Sequence, residues 1–138
     1  MLFNSNINIR FKLAGLWLTV FLLFIYGDLL SMWVPSRLNG LLHGNLDDGT
    51  TTPAKLLAIA IYISVYALMP LVNLIFTQKI SGILNIIVGV LLIAFWLFIL
   101  IGSSFGPMWN FYIYLAVIEI ILTLIIIFKS WVWVKSKE

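Results

Sequence analysis

The chain has 138 residues, of which 63% are apolar and 9% charged, far from the roughly 45–50% apolar and 25% charged of soluble domains. A mean hydropathy of +1.14 excludes a water-soluble fold. The net charge of +3 rests on scattered bases and gives no footprint for nucleic acid, while the absence of cysteine removes disulfides, thiolate metal sites and Cys-x-x-Cys redox chemistry.

A membrane-spanning helix needs about 20 mostly apolar residues. Four segments supply them, at about 13–34, 54–76, 80–101 and 108–128. They predict a single domain over 1–138, an all-α antiparallel four-helix transmembrane bundle. Arg10 and Lys12 precede the first segment, as in a signal peptide, but its apolar core is too long and no small-x-small cleavage site follows. It reads as a retained span. The stretch "PSRLNGLLHGNLDDGTTTP" comes next. Ser36 is expected to cap a short interfacial helix with Leu38, Leu41 and Leu42 turned inward. Thr52 as N-cap and Pro53 at the first helical position start the second span. Pro70 is expected to kink that span and free a backbone carbonyl. About three residues join it to the third span, which forces an antiparallel hairpin, and "GSSFGP" makes a tight turn before the fourth.

Flanking charge predicts orientation. Arg10, Lys12, Lys79, Lys129, Lys135 and Lys137 lie on one side and Arg37 and Lys55 on the other, so six bases against two place both termini in the cytoplasm. Trp33 and Trp109 then fall at the outer interface and Trp131 and Trp133 at the inner one, and the tryptophans read as aromatic belts. The expected location is the cell membrane, multi-pass.

Polar residues at depth carry the functional signal. Glu119 falls near the midplane and Asp28 about a third of the way in from the outer face, at a cost of roughly 2.5–3.5 kcal/mol for a charge at the centre. Arg37 or Lys55 can reach Asp28, which leaves a structural ion pair and a site role both open. Glu119 has no such partner, since every base lies roughly 15 Å away along the axis. A proton, water, a cation or neutral donors must satisfy it, and the proton is the leading expectation. Tyr62 and Tyr66 are one turn apart at the levels of Asp28 and Glu119, while Tyr112, Ala116, Glu119 and Thr123 form one stripe on the fourth span. Asn73 and Asn85 face each other across the hairpin, as interhelical hydrogen-bond partners, and Gly82, Asn85 and Gly89 suit close helix contact. His43, Asp47 and Asp48 match no metal-ligand spacing and read as an exposed loop. No phosphate loop, nucleophile–base pair or zinc motif is present.

The segments "LWLTVFLLFIYGDLLSMWVP", "TTTPAKLLAIAI" and "ILNIIVGVL", with the central Glu of the last span, resemble a family of short bacterial membrane proteins of unknown function with four predicted spans. Tyr26-Gly27-Asp28, Thr52-Pro53, Asn85 ahead of Gly89, and Glu119 carry the likeness most specifically. The resemblance implies the fold and membrane location and brings no activity.

The expected function is non-enzymatic and without cofactor or metal. A small or lipid-like ligand, or a proton, would bind in an outward-opening polar cavity built from Glu119, Asp28, Tyr62, Tyr66 and Tyr112. Proton-linked transport would call for a homo-oligomer, because one four-span unit shows no inverted repeat. The alternative is an accessory or assembly subunit whose buried polar groups hold helices or a partner together.

Overall fold

The computed structural model describes residues 8–46 and 49–136. Asp47, Asp48 and Lys137, which entered the loop and charge readings above, lie outside the described residues.

Apolar runs bounded by local caps build the helices. Asn8 opens α1 (Ile9–Ser31) by accepting a hydrogen bond from the Arg10 backbone N–H at 3.0 Å. After a short turn comes α2 (Pro35–Leu42), then a two-stranded antiparallel ribbon, β1 (Asn45–Leu46) with β2 (Gly49–Thr50). Thr52 Oγ1 accepts from the Lys55 N–H at 3.2 Å and Pro53 is the first residue of α3 (Pro53–Ile75). Extended Phe76 and Thr77 turn the chain directly into α4 (Gln78–Gly102). Pro107–Trp109 forms a 3-10 turn that feeds α5 (Asn110–Lys135).

Three details differ from the sequence reading. Ser36 lies inside α2, because Pro35 already supplies a helical φ at the first position and Val34 takes the cap place without a side-chain bond. The loop after α2 contains a ribbon, with Gly44 and Gly49 at φ +72° and +116°, backbone angles that glycine adopts without steric cost. The four long helices also start and stop elsewhere than at 13–34, 54–76, 80–101 and 108–128: α1 begins four residues early and α5 runs on to Lys135. Amphipathic ends extend helices past the apolar runs that reveal them. Pro70 sits within α3, which continues through it to Ile75.

The four long helices are each long and apolar enough to cross a membrane. At 1.5 Å per residue each spans about 35 Å or more, against a hydrocarbon core of about 30 Å. They alternate in direction and form a four-helix bundle in which α1 packs on α3 and α5, and α5 on α4, while α3 and α4 touch much less despite their short connection. The start of α1, the end of α5 and the α3–α4 turn lie at one end of the bundle (the terminal end), and α2, the ribbon and the α4–α5 connection at the other (the loop end).

Polarity is inverted relative to a soluble protein. Ser31, Asn73, Ser81, Asn85, Glu119, Thr123 and Ser130 are buried, whereas large apolar side chains such as Phe98, Ile101 and Phe128 point outward. Such a surface suits hydrocarbon and not water. The tryptophans do not form belts alone. Trp17 and Trp96 are fully enclosed in the core and Trp133 is buried at the terminal end under the Arg10 guanidinium, 5.1 Å from its ring centre, while Trp33 and Trp131 face outward. An indole has a large apolar body and one N–H, so it serves inside a bundle wherever that N–H meets an acceptor.

Candidate functional site

The buried polar groups fall into two clusters with a band of aromatic rings between them and the loop end. The first cluster joins α1, α3 and α4 near the terminal end. Asn85 Nδ2 donates to Asn73 Oδ1 at 2.7 Å, and Asn73 Nδ2 donates back to Asn85 Oδ1 at 3.0 Å. Trp17 Nε1 adds a third bond, to the same Asn85 oxygen at 2.8 Å. Asn73 Nδ2 also reaches the Met69 carbonyl, and Ser81 Oγ donates to the Val72 carbonyl at 2.9 Å. The asparagines thus meet as their depths predict, and Trp17 is the partner that sequence reasoning missed. One turn to either side of Asn85, Gly82 and Gly89 let α5 approach: a Cβ on Gly82 would collide with the Val134 side chain, and one on Gly89 would lie 2.8 Å from Ile127 Cγ1.

The second cluster centres on Glu119. Its side chain is 1% exposed and lies on the inward stripe of α5 with Ala116, Thr123, Ile126 and Ser130. Trp96 Nε1 donates to Glu119 Oε2 at 3.0 Å. Thr123 Oγ1 donates to the Glu119 backbone carbonyl and not to its carboxyl group. No lysine or arginine among the described residues pairs with it. A neutral donor therefore meets this acid, and the donor is an indole, not one of the tyrosines anticipated for the role.

The rings of Phe24, Tyr62, Tyr66, Phe95, Trp96 and Tyr112 form the band. Tyr62 packs on Tyr66 with centroids 4.8 Å apart and on Phe95 at 5.0 Å, and Trp96 packs on Tyr112 at 5.3 Å. Above this band lies a cavity of about 390 Å³. Its walls include Phe24 and Asp28 of α1, Arg37 of α2, Tyr62 of α3, Phe95 and Ile99 of α4, and Tyr112 of α5. Arg37 Nη2 lies 3.6 Å from Asp28 Oδ1, so of the two candidate bases Arg37 is the one that reaches the acid. The Tyr62 hydroxyl is buried, and its polar neighbour in the chain is the Tyr66 hydroxyl, placed too loosely for a well-formed hydrogen bond. A second cavity of about 530 Å³, bounded by Ser103, Ser104, Phe105 and Trp109, shares Arg37, Ile99 and Tyr112 with the first.

Of the residues proposed from sequence, Asp28, Tyr62 and Tyr112 come together on the cavity wall, and Tyr66 and Glu119 are not among the lining residues. Tyr66 is 5% exposed within the ring band, between Trp17 and Phe24. Glu119 reaches the cavity only indirectly, through Trp96 and the Tyr112 ring. His43 Nδ1 lies 2.8 Å from the Asn39 carbonyl, and among the described residues no three acidic, histidine or cysteine side chains gather where they could hold a metal ion. A signal for Trp96 existed in the sequence. It is a tryptophan more than a full turn inside the loop end of its span, where an indole N–H needs an acceptor.

Neither a curated protein nor a solved structure matches the chain. A family of unknown function, DUF6326, matches it over residues 1–138, and the chain belongs to that family.

Proposed function

We propose that this member of the family is a multi-pass membrane protein, both termini cytoplasmic, that binds a small lipid-like amphiphile in the loop-end cavity and catalyses no reaction of its own. The observation that carries the reading is the Tyr62 hydroxyl, buried on the cavity wall with the Tyr66 hydroxyl near it but no well-formed hydrogen bond. A buried hydroxyl left unsatisfied costs about 1–3 kcal/mol, and a ligand oxygen in the cavity removes that cost. The remaining walls suit the same ligand class, since Phe24, Ile59, Phe95 and Ile99 offer an apolar lining for a tail. Asp28 and Arg37 offer charge of both signs near the mouth for a polar head. Apolar walls with few converging polar groups are the usual form of a small-molecule site.

In this reading Glu119 carries a proton, because an ionised carboxylate without a basic partner is expensive at that depth. Its role is to hold Trp96, and through Trp96 the Tyr112 ring, in place. Asn73 and Asn85 are structural, since their side-chain hydrogen bonds close on one another and on Trp17 within the chain.

The chain lacks cysteine, so single-cysteine variants report cleanly. Ile63→Cys, on the cavity wall, should react with a maleimide in nanodiscs and be protected by a diazirine-bearing fatty alcohol. That probe should crosslink to α3 and α4 wall residues, and Tyr62→Phe should reduce crosslinking about five-fold or more, the loss of one hydrogen bond of about 1 kcal/mol. Labelling spread evenly over lipid-facing positions such as Leu57 and Phe98, unchanged in Tyr62→Phe, would reject the cavity as a binding site. Ser104→Cys and Ser136→Cys, tested in intact cells with a membrane-impermeant maleimide, should label only at Ser104→Cys if the termini are cytoplasmic.

A further inference from the structure

The opposite end of the bundle carries a second, chemically different feature. Arg10, Lys12, Lys79, Lys129 and Lys135 all lie there, whereas the acids among the described residues are Asp28 and Glu119, both elsewhere. Within this field a groove of about 320 Å³ runs between the start of α1 and the end of α5, lined by Ile9, Phe128, Lys129, Val132, Trp133 and Ser136. The α5 members fall at spacings of three and four residues, so they share one helix face. Phe128 and Val132 are exposed on the outer rim, 69% and 51%, while Lys129 is half-buried against the wall.

The groove floor is braced from behind. Arg10 is committed elsewhere: its guanidinium lies over the Trp133 ring and donates to the Asn73 and Phe76 carbonyls at the end of α3. Gln78 Nε2 donates to the carbonyls of Trp133, at 2.5 Å, and Ser136, at 2.8 Å. Trp133 is thereby fixed as a wall, and the cation facing the groove is Lys129. Lys12 lies one turn along α1 from Ile9, on the same side of that helix.

We infer that this groove is a site for an anionic phospholipid, with the phosphate on Lys129 and Lys12 and an acyl chain along Phe128 and Val132. Charge complementarity selects the head, because a basic cluster at a helix-bundle end attracts anionic lipid. The apolar rim selects a lipid over a free anion. This site does not depend on the loop-end cavity or on its ligand.

The test uses the full chain in mixed nanodiscs or detergent, with native mass spectrometry counting retained lipids. Phosphatidylglycerol should be retained in preference to phosphatidylcholine. Lys129→Gln should weaken retention about five-fold, the effect of one basic residue near a membrane surface, and Lys129→Arg should restore it. Lys79→Gln, the same charge loss on α4, should leave retention unchanged, and circular dichroism should confirm that all variants are folded. Equal losses in Lys79→Gln and Lys129→Gln would reduce the effect to diffuse surface charge and overturn the inference. Displacement by glycerol phosphate as readily as by the intact lipid would overturn it as well.

Discussion

The two halves of the bundle use the same materials to opposite ends. Toward the terminal end, α3 and α4 leave a two-residue turn and are bolted together by the asparagine pair, Trp17 and Ser81. Toward the loop end α3 and α4 meet through the Tyr62 and Phe95 rings, and Asp28, Arg37 and Tyr62 face a cavity. Polar groups that satisfy one another across helices fasten a bundle, whereas polar groups on a cavity wall can also meet a ligand. Residue type alone does not distinguish the two. The Tyr62 hydroxyl and the Asn73 amide, both buried on α3, differ in whether a complementary group meets them in good geometry within about 3 Å.

Four single substitutions and one double variant test that contrast. The largest loss is expected from Asn85→Leu, which strands the Trp17 N–H and the Asn73 side-chain oxygen, while Asn73 Nδ2 keeps the Met69 carbonyl. Each stranded group costs about 1–3 kcal/mol, partly recovered by local rearrangement, so a loss of about 3 kcal/mol should appear in detergent unfolding followed by circular dichroism. The double variant Asn73→Leu/Asn85→Leu should recover part of it, since the stranded Asn73 oxygen is then gone and only the Trp17 N–H is left unpaired. Next comes Gly89→Val, which drives a side chain into Ile127 and Thr123 and should cost about 1–3 kcal/mol through overpacking. Trp96→Phe removes the donor to Glu119, with an expected loss of about 1–2 kcal/mol. In infrared spectra it should also shift the carboxylic acid band, identified by its disappearance in Glu119→Gln.

The smallest stability effect is predicted for Arg37→Gln, under about 1 kcal/mol, because the 3.6 Å contact to a partly exposed Asp28 is a loose pair. Its effect on amphiphile crosslinking should be much larger than its effect on unfolding. If Arg37→Gln instead destabilised the bundle as much as Asn85→Leu, the loop end would be another fastened region and the contrast would collapse.

The helices and their partners were legible to different degrees. Thr52-Pro53 announced the start of α3, and the depth match of Asn73 and Asn85 across a forced hairpin announced their bond. Glu119 was legible as a buried acid beyond the reach of any base, because that inference needs only axial distance. Its hydrogen-bond donor was not, and neither was its separation from the cavity that holds Asp28, Tyr62 and Tyr112. Those depend on how each helix is rotated about its axis, and in a span apolar on every face the sequence contains little record of rotation.

By itself, then, the sequence determined how many apolar helices there are, the order in which they follow one another and the depth of each polar residue along them. Rise per residue is constant and lipid admits little but helix. Only the tertiary structure decided that Trp17 and Trp96 turn inward, that an indole meets Glu119, and that a cavity opens at the loop end. Depth is a property of one helix; azimuth is set by the side chains of its neighbours, where a glycine that admits α5 or an amide that holds α3 acts on residues far away in the chain.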